Sequence, residues 1–154
     1  IVKNEILEKS GRQIPTMLNY KTHVDADSLF NTPPVFAIYV CMLTMEWIKS
    51  IGGVDAIADI NKQKSDLLYG EIDSNPLFKG TAAIEDRSPM NVCFLLNKPE
   101  LDAEFLKVAT DAGIVGIKGH RSVGGFRASM YNALPLESVQ ALVNVMKEFS
   151  LKTA

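Results

Sequence analysis

Two consecutive prolines constrain this chain most, because proline is tolerated in the first turn of an α-helix but not in its interior. They follow an asparagine and a threonine in residues 31–34 (NTPP), and both of those residue types commonly precede a helix. The residues after the prolines are apolar on almost every helical face, and other elements cover a helix of that kind on most sides. A glycine pair, Gly52 and Gly53, predicts that this helix ends at a residue in the left-handed backbone conformation. We therefore expect a helix that begins near Val35, ends near Gly52 and is covered on most faces.

The rest of the chain predicts a mixed architecture in which two helices precede every strong strand. The patterns occur in this order: helix 54–74, a short strand or turn 78–81, strand 91–96, helix 101–112, strands 114–117 and 126–131, and helix 136–149. The strands 114–117 and 126–131 flank a short loop, so we expect them to form an antiparallel pair. This order indicates an α+β fold, an α/β layer in which the helices pack on one face of a few-stranded sheet.

Composition and charge favour a soluble globular domain. The chain has 154 residues, of which 47% are hydrophobic and 22% charged, and its formal net charge is −2. A weakly acidic chain lacks the basic surface by which proteins bind nucleic acids. The longest apolar stretch, residues 35–45, is well short of the roughly 20 residues that a membrane-spanning helix needs. We therefore expect neither a nucleic-acid partner nor a membrane partner.

The two cysteines, Cys41 and Cys93, lie in apolar runs and lack the spacing of metal ligands. We interpret them as buried, unpaired thiols, which fit the reducing cytosol, where disulfides are rare. The chain shows no secretory signal pattern, so we expect a cytoplasmic protein without a metal site. It begins with Ile1 rather than methionine, and we interpret this start as the interior of a longer protein.

The strongest functional pattern is a predicted anion-binding loop in residues 119–129 (GHRSVGGFRAS). Arg121 and Arg127 flank a glycine pair, and arginine presents a rigid fork of donors that matches carboxylate or phosphate oxygens. Taken singly, each arginine also fits an exposed surface residue. His120 fits a proton-transfer residue, a hydrogen-bond donor to an anion or a structural residue. The adjacent positive charge of Arg121 disfavours protonation of His120, which favours the role of donor.

Asn31 and Thr32 admit two interpretations. Side-chain oxygens at this position normally cap the following helix. Alternatively, the helix N-terminus with an amide and a hydroxyl beside it forms a phosphate site. Five further basic residues have no partner that the sequence reveals. We interpret His23 as a loop residue and four others as solvated charges: Lys64, Lys79, Arg87 and Lys98.

Residues 28–34 (SLFNTPP) and 116–133 (GIKGHRSVGGFRASMYNA), taken together, closely resemble the phosphoserine aminotransferase family, which consists of class V pyridoxal-phosphate enzymes. The resemblance extends over essentially the whole chain and corresponds to the C-terminal part of those enzymes. It implies the small C-terminal domain of a fold-type I aminotransferase. Residues 1–50 would then be the end of the large cofactor domain and a connecting helix, and residues 51–154 the small domain.

The resemblance also implies roles for the residues noted above. Asn31 and Thr32 would bind the phosphate of pyridoxal 5'-phosphate in the active site of the partner subunit of a homodimer. Arg127 would hold the substrate α-carboxylate, and His120 and Arg121 the phosphate of phosphoserine. The Schiff-base lysine of the family lies upstream, so no catalytic residue is assigned here. The chain by itself is expected to be inactive and to lack the cofactor.

The implied reaction transfers an amino group between glutamate and 3-phosphohydroxypyruvate in serine biosynthesis, with phosphoserine, glutamate and 2-oxo acids as substrates. The same residues also suit the phosphorylated four-carbon oxo acid of vitamin B6 (pyridoxine) synthesis. A different class of function, a stand-alone anion-binding or dimerisation module without catalysis, stays open from the residues alone.

Overall fold

The structure is a computed structural model that describes residues 2–7, 9, 11–121 and 124–153. The chain divides into two compact units, Ile1–Trp47 and Ile48–Ala154, which are described separately. The roles assigned above to residues 1–50 and 51–154 within a longer enzyme stay predictions.

The first unit is helical. It contains α1 (Asn4–Leu7), α2 (Tyr20–Val24) and most of α3 (Val35–Ser50). His23 lies in α2 rather than in a loop, with its Nε2 3.1 Å from the carbonyl oxygen of Met17 and its ring edge-on to Phe30. The loop interpretation of His23 is therefore wrong, because a short helix and two local contacts hold this side chain.

The α3 helix confirms the predicted start and end but not the predicted burial. It begins directly after the prolines, and the chain leaves it through Gly52, which has a φ of 108°. No α3 side chain is buried, and Phe36 is 81% exposed. The expectation that α3 is covered on most faces is wrong for this chain, because an all-round apolar pattern indicates a need for packing partners without supplying them. Cys41 on α3 is exposed and free, so its predicted burial is also wrong.

The second unit is a three-stranded antiparallel sheet with three long helices. The helices are α4 (Gly53–Ser74), α5 (Asp102–Asp111) and α6 (Leu136–Thr153), and the strands are β1 (Phe78–Gly80), β2 (Asn91–Leu96) and β3 (Phe126–Ser129), in sheet order β1-β2-β3. Burial alternates along β2, and its buried residues join side chains of all three helices in one core. This arrangement confirms the predicted α+β fold.

The core sits on one face of the sheet. Phe94 and Phe126 stack with ring centroids 5.4 Å apart, and Phe105 from α5 meets Phe126 edge-on at 5.0 Å. The opposite face carries Cys93 and Arg127, which are register partners on β2 and β3. Cys93 is free and half-buried, so its predicted full burial is wrong, because it faces away from the core.

The predicted strand pair around the loop is only partly formed. Residues 114–117 are not a strand; a single bridge joins Lys118 to Phe126, and Arg127 N donates to Ile117 O at 2.8 Å. Gly116 has a φ of 77°, which interrupts an extended conformation. The main partner of β3 is instead β2, distant in sequence.

The residues that the structure describes contain no group of three or more His, Cys, Asp or Glu side chains that could hold a metal ion. No single helix among them is long and apolar enough to cross a membrane, although α3 and α4 taken together, as a bent pair, pass that test by length and composition.

Candidate functional site

The predicted anion loop is a tight hairpin in the second unit. Gly119 N donates to Gly125 O at 2.8 Å, and Gly124 N donates to His120 O at 2.8 Å. These two bonds close the hairpin directly before β3. Ser122 and Val123 lie outside the described residues. The backbone bonds bring the residues before and after the glycine pair close together.

Two glycines make this hairpin sterically feasible. A Cβ at Gly119 would overlap the carbonyl oxygen of Gly124 and lie 2.7 Å from that of Gly125. A Cβ at Gly125 would overlap the Leu95 side chain and lie 2.7 Å from Phe94 O, and Gly125 also has a φ of 62°. Because glycine has no Cβ, it allows two backbone segments to approach closely here. The neighbouring atoms therefore restrict the conformation of this loop.

The hairpin places its three functional candidates at two neighbouring positions. His120 and Arg121 are exposed and line a cavity of about 430 Å³, together with Lys118 and Asp102. Arg127 is exposed in β3, on the sheet face away from the core, opposite Cys93. The structure thus brings His120 and Arg121 together and puts Arg127 at the base of the same hairpin.

Asp102 also lines this cavity, and the sequence does not indicate that position. Its Oδ1 is buried and has no hydrogen-bond partner among the described residues. Burial raises the pKa of the Asp102 carboxyl, and the charge of Glu100 raises it further. An acidic residue in the first turn of a helix is common, so the sequence suggests only a favourable interaction with the helix dipole. It shares the cavity with Arg121 because α5 and the hairpin both contribute residues to its lining.

Two residues interpreted as solvated charges are instead structural. Lys64 is fully buried, and its Nζ donates to three backbone carbonyls. Arg87 forms a two-pronged ion pair with Asp73 at 2.6 and 2.7 Å, and its guanidinium lies 4.5 Å from the Tyr69 ring centre. These interpretations are wrong because the partners are distant in sequence. Lys79 and Lys98 are exposed, as expected.

The hydrogen bond to Arg87 lowers the pKa of Asp73, and the hydrogen bond to Asp73 raises the pKa of Arg87. Each group therefore favours the charged form of the other, which keeps this ion pair intact at neutral pH. The pair ties α4 to the segment before β2 and stands apart from the anion hairpin.

Asn31 and Thr32 lie in the first unit, directly before the prolines that open α3, and both are exposed. In the described part of the chain, neither side chain forms a hydrogen bond. The first turn is closed instead by backbone bonds, from Val35 N to Pro33 O and from Ile38 N to Pro34 O. The capping bond of the simpler interpretation is thus not formed, and both side chains face solvent at a helix N-terminus.

Comparisons with known proteins agree with these features. The family profile described as aminotransferase class V matches residues 2–142. Phosphoserine aminotransferase from Flavobacterium psychrophilum is 62% identical over 99% of this chain, and that from Bacteroides thetaiotaomicron is 59% identical over 97%. The chain covers 43% and 42% of the lengths of these two relatives.

Solved structures give the same result. The phosphoserine aminotransferase from Bacillus circulans subsp. alkalophilus superposes with a TM-score of 0.90 at 43% identity, over 99% of this chain and 43% of that one. The pyridoxal-phosphate-bound enzyme from Trichomonas vaginalis gives a TM-score of 0.83 at 39% identity, over 95% of this chain and 42% of that one. The profile match over residues 2–142, together with relatives that are 62% and 59% identical, identifies this chain as a member of the class V aminotransferase family.

Proposed function

We propose that this chain is the C-terminal part of a phosphoserine aminotransferase, which transfers an amino group between glutamate and 3-phosphohydroxypyruvate in serine biosynthesis. The observation that carries the proposal is the hairpin. It carries two separate groups of basic side chains, His120 with Arg121 in one cavity and Arg127 on β3. The high identity to enzymes of that name supports the choice of substrate.

Each substrate feature then has a matching group. Arg127 offers a planar fork to the α-carboxylate, which glutamate, phosphoserine and the 2-oxo acids all carry. Arg121 and His120 offer donors to the phosphate, which only phosphoserine and 3-phosphohydroxypyruvate carry. A charge-assisted hydrogen bond of this kind is worth about 1.5–3 kcal/mol. Two anion positions at opposite ends of one hairpin thus suit a small substrate with an anion at each end.

The start of α3 fits the cofactor that the family uses. Pyridoxal 5'-phosphate supplies the electron sink for amino transfer when it is bound. The exposed amide of Asn31 and hydroxyl of Thr32, beside the N-terminus of a long helix, are donors of the kind that hold a phosphate group. We assign them to the cofactor phosphate in the partner subunit of a cytoplasmic homodimer, where they would fix the cofactor against rotation.

The test separates the two arginines in the full-length enzyme. Arg121→Lys and Arg127→Lys both keep the positive charge but lose the fork. We expect Arg127→Lys to lower kcat/KM for glutamate and for phosphoserine by roughly ten- to a hundredfold, and Arg121→Lys to do so for phosphoserine alone. The two half-reactions are measured separately, and Arg12→Lys, at an exposed arginine, is the matched control.

Equal losses on both substrates for both variants would contradict this division and leave only a shared positive potential. The phosphorylated four-carbon oxo acid of vitamin B6 synthesis belongs in the same assay, because the same arginine positions suit it. A full-length protein that binds these anions but transfers no amino group would instead support a binding module without catalysis.

A further inference from the structure

Lys64 on α4 is a fully buried lysine in which each of the three N–H donors has an acceptor. Its exposed fraction is 0%, and its Nζ lies 3.2 Å from Met130 O, 3.0 Å from Tyr131 O and 3.1 Å from Leu134 O. An ammonium group has three donors and no acceptor. Three carbonyls therefore match its full hydrogen-bonding capacity.

All three carbonyls belong to one turn, residues 130–134, which directly follows β3. The same helix makes a second contact with this turn, since Asn61 Nδ2 donates to Asn132 Oδ1 at 2.8 Å. From the sheet side, Met130 N donates to Met90 O at 2.7 Å. The direction in which the chain leaves β3 is therefore set largely by α4, and Lys64 makes most of the contacts that set it.

Arg127 lies in the strand that this turn terminates. Its neighbours Phe126 and Ala128 are buried in the core, so the Arg127 side chain is held on the opposite, open face. A strand of four residues has few ladder bonds of its own. A displacement of its C-terminal end would be transmitted to Arg127, whereas Arg121 is attached through the hairpin at the other end.

A lysine at this position carries a cost that an apolar residue would avoid. Burial disfavours the charged ammonium and lowers the pKa of Lys64. An apolar side chain of similar size, however, would leave three converging carbonyls without a donor. The lysine and the turn are thus matched to one another, and the shape of the turn depends on the ammonium group.

We propose that Lys64 is a positioning residue for Arg127: by holding the turn after β3, it sets where the Arg127 guanidinium meets the substrate carboxylate. The inference rests on the proposed function, in which Arg127 binds the α-carboxylate. It requires that loss of Lys64 weaken carboxylate binding more than phosphate binding.

The test uses Lys64→Met in the full-length enzyme, with two affinities measured side by side. We expect the KM for glutamate to rise about ten- to a hundredfold, because a displacement on the order of 1 Å is enough to weaken an oriented contact. The inhibition constant of inorganic phosphate, which reports on the other position, should stay within about twofold of wild type. A purely structural defect would raise the KM for glutamate and the inhibition constant of phosphate together. Lys62→Met, on the same helix but at an exposed lysine paired with Asp66, is the matched control.

A second variant distinguishes the loss of the ammonium group from misfolding. In Lys64→Ala, ethylammonium added to the buffer should occupy the vacated space, donate to the three carbonyls and restore the KM for glutamate. An unchanged KM for glutamate in Lys64→Met, or an equal loss of phosphate inhibition, would overturn the inference. A wild-type enzyme that does not accept glutamate would overturn the proposed function itself. The activity of the wild-type enzyme with glutamate is therefore measured before any variant is compared.

Discussion

Asp102 shows at the scale of one residue how burial in a cavity shifts the pKa of a side chain. Its carboxylate lies in the cavity that His120 and Arg121 line, and Oδ1 has no partner in the described part of the chain. Burial raises the pKa of this group above its ordinary value of 3.8, so the native state holds its proton more tightly than the unfolded state does. The resulting stability is complete below pH 3.8 and is lost as the pH rises through the native pKa.

We therefore expect Asp102→Asn to raise the free energy of unfolding at pH 7 by on the order of 1 kcal/mol, because the uncharged amide avoids the desolvation cost. The difference should shrink as the pH falls towards 3.8. Thermal unfolding across this pH range measures it. Glu104→Gln, at an exposed carboxylate in the same first turn of α5, corrects for the helix dipole. A destabilised Asp102→Asn at pH 7 would show that Asp102 has a partner that stabilises its charge.

At the scale of an element, the hairpin before β3 requires glycine at two positions where a Cβ atom would clash with its neighbours. Gly119→Ala and Gly125→Ala would each bring a Cβ against backbone oxygens, and backbone cannot move aside as a flexible side chain can. Gly124→Ala meets nothing within 4 Å, although its φ of 77° is left-handed. It should therefore cost only the conformational term, about 1 kcal/mol.

We expect Gly119→Ala and Gly125→Ala to lower the thermal midpoint more than Gly124→Ala, and to raise the KM for phosphoserine as the hairpin opens. Melting curves and steady-state kinetics of the three full-length variants measure both effects. If Gly124→Ala proved the most damaging of the three, the steric account of the hairpin would be incorrect.

The N-terminus of α3 gives the second prediction at this scale. In the described part of the chain, neither Asn31 nor Thr32 forms a capping hydrogen bond. Thr32→Ala should therefore leave the thermal stability of the apoenzyme nearly unchanged. It should instead weaken retention of pyridoxal phosphate in the full-length dimer by roughly tenfold or more, the value of one charge-assisted hydrogen bond. Cofactor release during dialysis, followed by absorbance, measures this, and Thr44→Ala on the same helix is the control. Unchanged retention with lower stability would favour the capping role.

At the scale of the whole molecule, the chain spans 43% of the length of its curated relatives from Flavobacterium. We propose, from the resemblance, that the lysine that attaches the cofactor is not among these residues. We therefore expect the 154-residue chain, produced alone, neither to transaminate phosphoserine nor to retain pyridoxal phosphate after dialysis. Absorbance and a coupled assay with 2-oxoglutarate test this beside the full-length enzyme. Turnover by a homogeneous sample of the chain alone would contradict it.

The sequence by itself determined the features that depend on near neighbours in the chain. The two prolines and the glycine pair predicted both ends of α3, and the apolar run 91–96, bounded by Pro89 and Pro99, predicted β2 with its observed bounds. The sequence also singled out His120, Arg121 and Arg127 as candidates for anion binding, because they are clustered in the chain, and that role stays a prediction. Backbone preferences and periodicity act over a few residues, so they can be read without knowing the fold.

Only the tertiary structure decided which charges are buried, what they contact and which apolar surface stays exposed. Lys64 and Arg87 look like ordinary surface charges in the sequence, yet one is buried beneath the turn after β3 and the other pairs with Asp73. Asp102 lines the same cavity as the hairpin residues only because the fold brings the start of α5 to that cavity. Each of these partners lies many residues away, and a helical pattern such as that of α3 shows which side chains need cover but not what provides it. Long-range packing sets these environments, and therefore the pKa shifts and positioning contacts that follow from them.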